Sequence, residues 1–396
     1  MTNAEIVALT AAHEVGNYAR LPVAFVRGRG CELWDADGRR YLDLFAGVAV
    51  MSLGHCHPAV VEAIRTQAAE LLHVSNHYHT RPGAELTALL CRLSFAERAF
   101  LCNSGAEANE AAMKLARRWG AEHGGGRFEI LAATGSFHGR TFGTLTATGQ
   151  EKYHHGFQPL LPGVRLVPYD DLAAIRAAVR EETVAVMIEP IQGEGGVATP
   201  GPDYLPGLRR LCDERGLLLI LDEIQTGLGR TGRLFAHEAA GIVPDVMTLA
   251  KALGGGLPIG AMLASARVAA AFTPGSHGTT FGGNPVACAA AIAATTELAR
   301  PELLEHVRAT GEHLRAGLEA LGRRSGRIRA VRGAGLLLGT VLDAPGAPVV
   351  RRCLDRGLLI NCTADRVLRL TPPLVITRAE IDEGLAILER ALAEAA

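Results

Sequence analysis

Two stretches of this chain, Val184–Ile188 and Leu217–Leu221, are apolar without interruption, and each runs directly into a carboxylate, Glu189 and Asp222. A strand with one wet face alternates polar and apolar residues. A strand with no polar residue must be covered on both faces, which is the condition of a strand inside a parallel sheet. The fold class that follows is α/β, with helices on both sides of the sheet. The chain from about residue 55 agrees, because short β-rich runs alternate with amphipathic helices. Pro58 opens a helix striped by Val60, Val61, Ile64, Ala68 and Leu71. Arg98–Cys102 reads as a strand, Asn103–Gly105 as a turn, and Ala108, Ala111, Ala112, Leu115 and Trp119 stripe the next helix. A helix is expected from about Pro285 to Arg300, and Pro301 restarts the chain into another. Arg327–Val331 and Val367–Leu370 read as strands of a smaller α/β unit, and Trp34–Gly38 as a β-hairpin turn that packs with it. A chain of 396 residues exceeds the usual reach of one core, so more than one domain is expected.

Composition removes several function classes. A net charge of −1 and the lack of a basic stripe interleaved with aromatics argue against nucleic acid. No apolar run is long enough to span a bilayer. The N-terminus carries Glu5 and no basic head before an apolar block, so no export signal is expected. The eight cysteines form no C-x-x-C pair and read as buried or free thiols in a reducing cytoplasm. His55-x-His57 and His77-x-His79 have no further ligand at metal spacing, so no metal site is expected. Gly333-Ala334-Gly335 follows an apparent strand, but the next glycine, Gly339, is one position late for a dinucleotide fingerprint. No G-x-S-x-G elbow occurs.

The lysines are more telling. There are three, against 37 arginines, and Lys251 lies in the otherwise uncharged run Thr248–Gly256. A lysine kept where arginine is the general-purpose cation suggests a task that needs a deprotonated amine, such as attack on a carbonyl. Lys114 and Lys152 lie among other polar residues and ask for no such account. Ligands of open α/β sheets bind beyond the carboxyl ends of the strands, where Glu189 and Asp222 fall. Ser104-x-x-Glu107 is a capping box at a strand–turn–helix entry, and Gly105 lets a ligand approach the helix N-terminus, a site that favours an anion. One cofactor ties these parts together. Pyridoxal phosphate offers a carbonyl to the lysine, a ring nitrogen to the aspartate and a phosphate to the helix.

Six runs carry a specific resemblance: Asn103–Glu110, Ser136–Thr141, Glu189–Gly196, Leu221–Gly232, Ala250–Gly256 and His277–Pro285. In that order, and over the chain from about Leu21 onward, they resemble class III pyridoxal-phosphate aminotransferases of the acetylornithine aminotransferase branch. The resemblance implies the aspartate-aminotransferase-like PLP-dependent transferase fold (fold type I). A large domain over 50–290 would hold a mostly parallel seven-stranded sheet, and a small domain would form from 1–49 and 291–396. It also implies a homodimer whose active site is shared across the interface. Lys251 would hold the cofactor and shuttle a proton from the substrate carbon to C4′. Asp222 would pair with the ring nitrogen and Gln225 with the ring hydroxyl, while Phe137 and Ile224 cover the two ring faces. Gly105 and Ala106 would give N–H groups to the phosphate, and Thr280 would reach it from the partner subunit. Arg140 would clamp a substrate carboxylate and Thr279 would touch substrate. Arg369 would hold the α-carboxylate of 2-oxoglutarate or glutamate, and Glu194 would pair with Arg369 when that carboxylate is absent.

The implied reaction moves the δ-amino group of N2-acetyl-L-ornithine to 2-oxoglutarate by a ping-pong route. Val48 falls where ornithine aminotransferases tend to carry a tyrosine that holds free ornithine's α-amino group, and valine leaves room for an acyl group instead. The competing substrates are succinylornithine, free ornithine, 4-aminobutyrate and a lysine-biosynthesis semialdehyde. A mutase, racemase or decarboxylase on the same cofactor, and a non-enzymatic binding protein, are the readings from other classes.

Overall fold

The computed structural model describes residues 1–395 and arranges their strands in three sheets. β1 (Phe25–Arg29), β2 (Glu32–Asp35) and β3 (Arg40–Asp43) form an antiparallel ribbon, with the expected hairpin turn between β2 and β3. The central sheet holds β4 (Arg98–Cys102), β5 (Glu129–Ala133), β6 (Val164–Val167), β7 (Thr183–Ile188), β8 (Leu218–Asp222), β9 (Val246–Leu249) and β10 (Gly260–Ala264). Its seven strands lie in the order β4-β10-β9-β8-β7-β5-β6. The run from β6 to β9 is parallel, and β10 is antiparallel to both of its neighbours.

The two apolar runs behave as their composition requires. Every residue of β7 and β8 is buried. Because side chains alternate across a sheet, each run feeds two cores. Leu218 and Ile220 of β8 pack with Ala185 and Met187 of β7 and with the helix Gly105–His123. Leu219 and Leu221 join Val186 and Ile188 against the helix Tyr204–Arg215.

The two ends of the chain meet. β13 (Leu358–Leu359) pairs in parallel with β3, Leu358 opposite Leu42, and so completes the N-terminal sheet. The third sheet has the order β11-β12-β15-β14, from β11 (Ile328–Ala334), β12 (Leu337–Leu342), β14 (Asn361–Thr363) and β15 (Val367–Leu370). β11 is longer than the sequence pattern suggested, because it continues through Gly333 into a hairpin with β12. The Gly333–Gly335 run is therefore the end of β11 leading into the hairpin turn, with Gly335 in the turn at φ 54°. A Cβ on Gly335 would lie 2.8 Å from the Arg230 carbonyl, so the turn is pressed onto that loop.

The topology gathers one edge. β4 runs in the same sense as β7, β8 and β9, because two antiparallel steps through β10 restore the direction. The carboxyl ends of β4, β5, β7, β8 and β9 therefore lead into Asn103, Ser136, Glu189, Asp222 and Lys251 respectively along a single edge of the sheet.

Candidate active site

A cavity of about 460 Å³ opens at that edge, a size that suits a small molecule, whose pockets run about 300–1,000 Å³. Gly105, Ala106, Phe137, Arg140, Glu194 and Asp222 line it. So do Ile224, Gln225 and Lys251, all anticipated from the sequence.

Asp222 is held at the end of β8 by three donors. Oδ2 accepts the His138 ring nitrogen Nδ1 at 2.7 Å and Asn109 Nδ2 at 2.8 Å, and Oδ1 accepts the Ile224 N–H at 3.0 Å. Asn109 is itself fixed by Thr248, whose hydroxyl donates to Asn109 Oδ1 at 2.7 Å. Burial disfavours a charged His138, but the bond to Asp222 and its charge outweigh this, and the imidazole is pushed above its ordinary range. The His138 and Asn109 bonds together aim the Asp222 carboxylate into the cavity. Sequence reasoning missed His138 and Asn109, although both lie inside runs that carry the resemblance. The available signal was a polar side chain in a segment otherwise destined for the core.

Lys251 is half-buried, and desolvation together with the Arg369 charge pulls its amine below the ordinary lysine range, with Glu194, Asp222 and Glu189 pulling the other way. Its backbone adopts φ 44°, a conformation that side-chain-bearing residues avoid. Glu189 also lines the cavity and accepts the Phe137 N–H at 3.1 Å. Burial holds its carboxyl well above the usual carboxylate range.

The helix Gly105–His123 starts at the cavity. The Ser104 hydroxyl accepts the Glu107 N–H at 3.1 Å, as a cap should. The reciprocal half of the capping box is displaced, because the Glu107 carboxylate reaches past the cap to the Asn103 N–H at 2.7 Å. The N–H groups of Gly105 and Ala106 stand in the first turn, where no helix pairs them internally. A Cβ on Gly105 would fall 2.7 Å from Ile224 Cδ1, so glycine is needed there for Ile224 to reach the cavity.

Two arginines stand beside the Glu194 and Phe137 walls of the cavity. Arg369, on β15, is fully buried and donates to Glu194 Oε1 at 2.5 Å and to Gln225 Oε1 at 3.1 Å. Burial alone would raise the Glu194 carboxyl, but the Arg369 guanidinium more than offsets it and holds Glu194 below its ordinary value. Arg140 is exposed, with its guanidinium 3.9 Å above the Tyr153 ring and 5.4 Å from the Phe137 ring. Stacking of this kind leaves the edge of the fork free for a carboxylate. Tyr153 lies in the polar run that sequence reasoning set aside.

Four expected residues lie outside the cavity lining, Arg369 behind Glu194 among them. Val48 is half-buried in a left-handed turn, and Val50, two residues on, lines the cavity. Thr279 accepts Asn103 Nδ2 at 3.2 Å, just beside the helix start. Thr280 is exposed and outside the cavity lining.

These parts fit pyridoxal phosphate. The cavity offers an amine whose proton affinity is lowered, a braced carboxylate for a ring nitrogen, first-turn N–H groups for a phosphate, and apolar Phe137 and Ile224 for a flat ring. Comparison with known proteins agrees. The class-III aminotransferase profile matches residues 13–392. The chain is 52% identical to the acetylornithine aminotransferase of Caldanaerobacter subterraneus subsp. tengcongensis, over 95% of this chain and 96% of that one. It is 48% identical to the acetylornithine aminotransferase of Methanocaldococcus jannaschii, over 95% of each. Among solved structures, N-acetylornithine aminotransferase from Stenotrophomonas maltophilia superposes with TM-score 0.85 at 40% identity, with 98% of each chain covered. Ornithine aminotransferase from Toxoplasma gondii superposes with TM-score 0.96 at 35% identity, covering 100% of this chain and 96% of that one. A fold type I framework, a lysine set against a braced aspartate, and this breadth of identity lead to one conclusion: the chain belongs to the class-III aminotransferase family and is a pyridoxal-phosphate-dependent enzyme.

Proposed function

We propose that the protein transfers the δ-amino group of N2-acetyl-L-ornithine to 2-oxoglutarate, giving N-acetyl-L-glutamate 5-semialdehyde and L-glutamate, a step of arginine biosynthesis. The observation that carries this reading is the high identity, over nearly the whole chain, to acetylornithine aminotransferases from a bacterium and an archaeon. Arg140 at the cavity and Arg369 behind Glu194 support it, since both substrates bear carboxylates.

Pyridoxal phosphate, when bound, supplies a carbonyl for the amine and a ring that draws electrons from the adjoining C–H bond. The chain's residues supply the rest. Asp222, backed by His138, holds a proton at the ring nitrogen. Gly105 and Ala106 bind the phosphate through their N–H groups, Gln225 orients the ring hydroxyl, and Phe137 and Ile224 keep the ring flat and dry. Lys251 holds the cofactor and moves the proton from the amine-bearing carbon, a role that its lowered proton affinity suits. Arg140 binds the α-carboxylate of the amine donor, and Thr279 contacts the substrate. Glu194 neutralises Arg369 during the first half-reaction and yields it to the α-carboxylate of 2-oxoglutarate in the second. One pocket thereby accepts two unlike substrates. Val48, with Val50 beside it, leaves an apolar space for the acyl group.

The exposure of Thr280 supports a shared site in which it reaches the partner's phosphate pocket, and the active unit is a homodimer. The pairing of β3 with β13 supports a small domain from 1–49 and 291–396 beside a large one over 50–290. None of the described helices is long and apolar enough to cross a membrane, and the enzyme works in the cytoplasm. An amine-donor panel tests the reading. Acetylornithine should give the highest kcat/KM, with glutamate formed. A higher value for free ornithine, succinylornithine or 4-aminobutyrate overturns the substrate assignment, and failure to form glutamate overturns transamination.

A further inference from the structure

Arg230 is a cation that the chemistry above does not use. It follows the Asp222 loop, is 1% exposed, and makes its side-chain bonds to uncharged oxygens. A buried charge of this kind is costly unless its hydrogen bonds are satisfied by well-placed partners. Those partners come from three separate segments. Nη1 donates to the Leu336 carbonyl at 3.1 Å, at the β11–β12 hairpin, and to the Pro372 carbonyl at 2.5 Å, just past β15. Nη2 donates to Ser52 Oγ at 2.9 Å.

Two of these segments lead to residues of the proposed substrate end. Ser52 Oγ passes its own proton to the Ala49 carbonyl at 3.1 Å, closing the left-handed turn that carries Val48. That turn has φ of 49°, 59°, 63° and 64° at Ala46, Gly47, Val48 and Ala49. Backbone of this kind persists only where its surroundings over-determine it. Pro372 lies three residues from Arg369. Between them, Thr371 donates its N–H to the Leu44 carbonyl and its hydroxyl to the Phe45 carbonyl, both at 2.9 Å. The Leu374 N–H closes the loop on the Ser52 carbonyl at 2.7 Å.

We infer that Arg230 is a positioning residue for substrate recognition: its guanidinium fastens the Val48 turn to the Arg369 strand, and so sets the spacing between the apolar wall and the carboxylate clamp. The planar fork explains the residue type. Two nitrogens of fixed geometry reach segments that a single ammonium cannot bridge together. Burial pulls the Arg230 guanidinium down to about 9. A lysine starts from a lower value, so the same burial would carry it toward neutrality.

The inference rests on the aminotransferase reading for its assay, and wild-type glutamate formation is measured first. Its absence would sink that reading and not this one. Arg230→Lys and Ser52→Ala are then compared with wild type as loaded holoenzymes. Misplacing a clamp by a fraction of an ångström should raise the KM for 2-oxoglutarate about tenfold in Arg230→Lys and about threefold in Ser52→Ala. In both variants kcat should stay within about twofold, and the pH midpoint of the cofactor's visible absorption should not move. An unchanged KM in either loaded variant overturns the inference. So does a parallel decline of cofactor absorption, kcat and kcat/KM, the signature of a merely structural arginine. If Arg230→Lys does not fold, Ser52→Ala decides alone, since it removes the Nη2 arm and leaves the guanidinium with its two Nη1 bonds.

Discussion

At the scale of single residues, the site is a set of charges whose partners fix their state. Lys251 is half-buried near three carboxylates, yet desolvation and the Arg369 charge outweigh them and keep its proton affinity low. Lys251→Ala should abolish turnover while the protein still binds pyridoxal phosphate without a covalent link. Glutamate formation at the wild-type rate would remove the mechanism. Arg369→Ala should raise the KM for 2-oxoglutarate more than that for the amine donor, by about a hundredfold if the full charge-assisted pair of about 3 kcal/mol is lost. Steady-state kinetics with each substrate varied would show it. Glu194 allows the sign with pH to be worked out. Its folded value lies below the ordinary 4.5, so its pairing with Arg369 is fully present above that value and is lost only as pH falls through the lowered one. The gate should therefore contribute no pH dependence between about pH 5 and 8. Glu194→Gln leaves the guanidinium unneutralised at every pH. It should lower the KM for 2-oxoglutarate and lower kcat/KM for the amine donor, measured in separate half-reactions. Lys251, Asp222 and Arg369 were legible because rarity, position after a strand, and motif context all mark a residue type. His138 and Asn109 were not, since a buried polar side chain is recognisable only once its partner is known.

At the scale of elements, local pattern was a good guide for the central strands and the helix Gly105–His123. It was a poor one for the helix Pro58–Glu70, where Val60 is buried but Val61, Ala68 and the C-cap Leu71 are exposed. The stripe on the helix Gly105–His123 and the two apolar strands appear where their spacing put them. The Ser104 cap joins this scale to function, since it fixes the turn whose N–H groups face the cavity. Ser104→Ala should cost about 1 kcal/mol of stability, as lost caps do. It should also weaken cofactor affinity, readable as a rise in the pyridoxal phosphate needed for half-maximal activity; unchanged affinity would remove the phosphate role from that helix start. The turn at Ala46–Ala49 was illegible. It reads as a plain apolar run with one glycine, and the left-handed conformation costs about 1–2 kcal/mol for each side-chain-bearing residue. No local preference produces it. Bonds from Asp43, Ser52 and Thr371, which lie outside the turn, hold it.

At the scale of the molecule, one hydrophobic core runs from Leu42 through Leu249 and Leu253 to Leu388, so the chain's ends are packed onto the sheet that carries the cofactor site. The shared-site proposal is tested by mixing. Lys251→Ala and Thr280→Asp should each be nearly inactive alone. Co-expressed, they should recover about a quarter of wild-type activity, because half of randomly paired dimers carry one intact site of two. No recovery would mean that Thr280 serves its own subunit, and full activity of Thr280→Asp alone would mean that it serves neither. The sequence by itself determined the α/β class, the strand ends that bear carboxylates, the singular lysine and hence the cofactor, because composition and period act over a few neighbouring residues. Only the tertiary structure decided that His138 stands behind Asp222, that Gln225 shares Arg369 with Glu194, and that Arg230 joins the Val48 turn to the Arg369 strand. Those pairs are separated by 84, 144 and 178 positions along the chain. A hydrogen bond depends on distance and angle, which sequence spacing does not encode until the sheet order has brought the segments together.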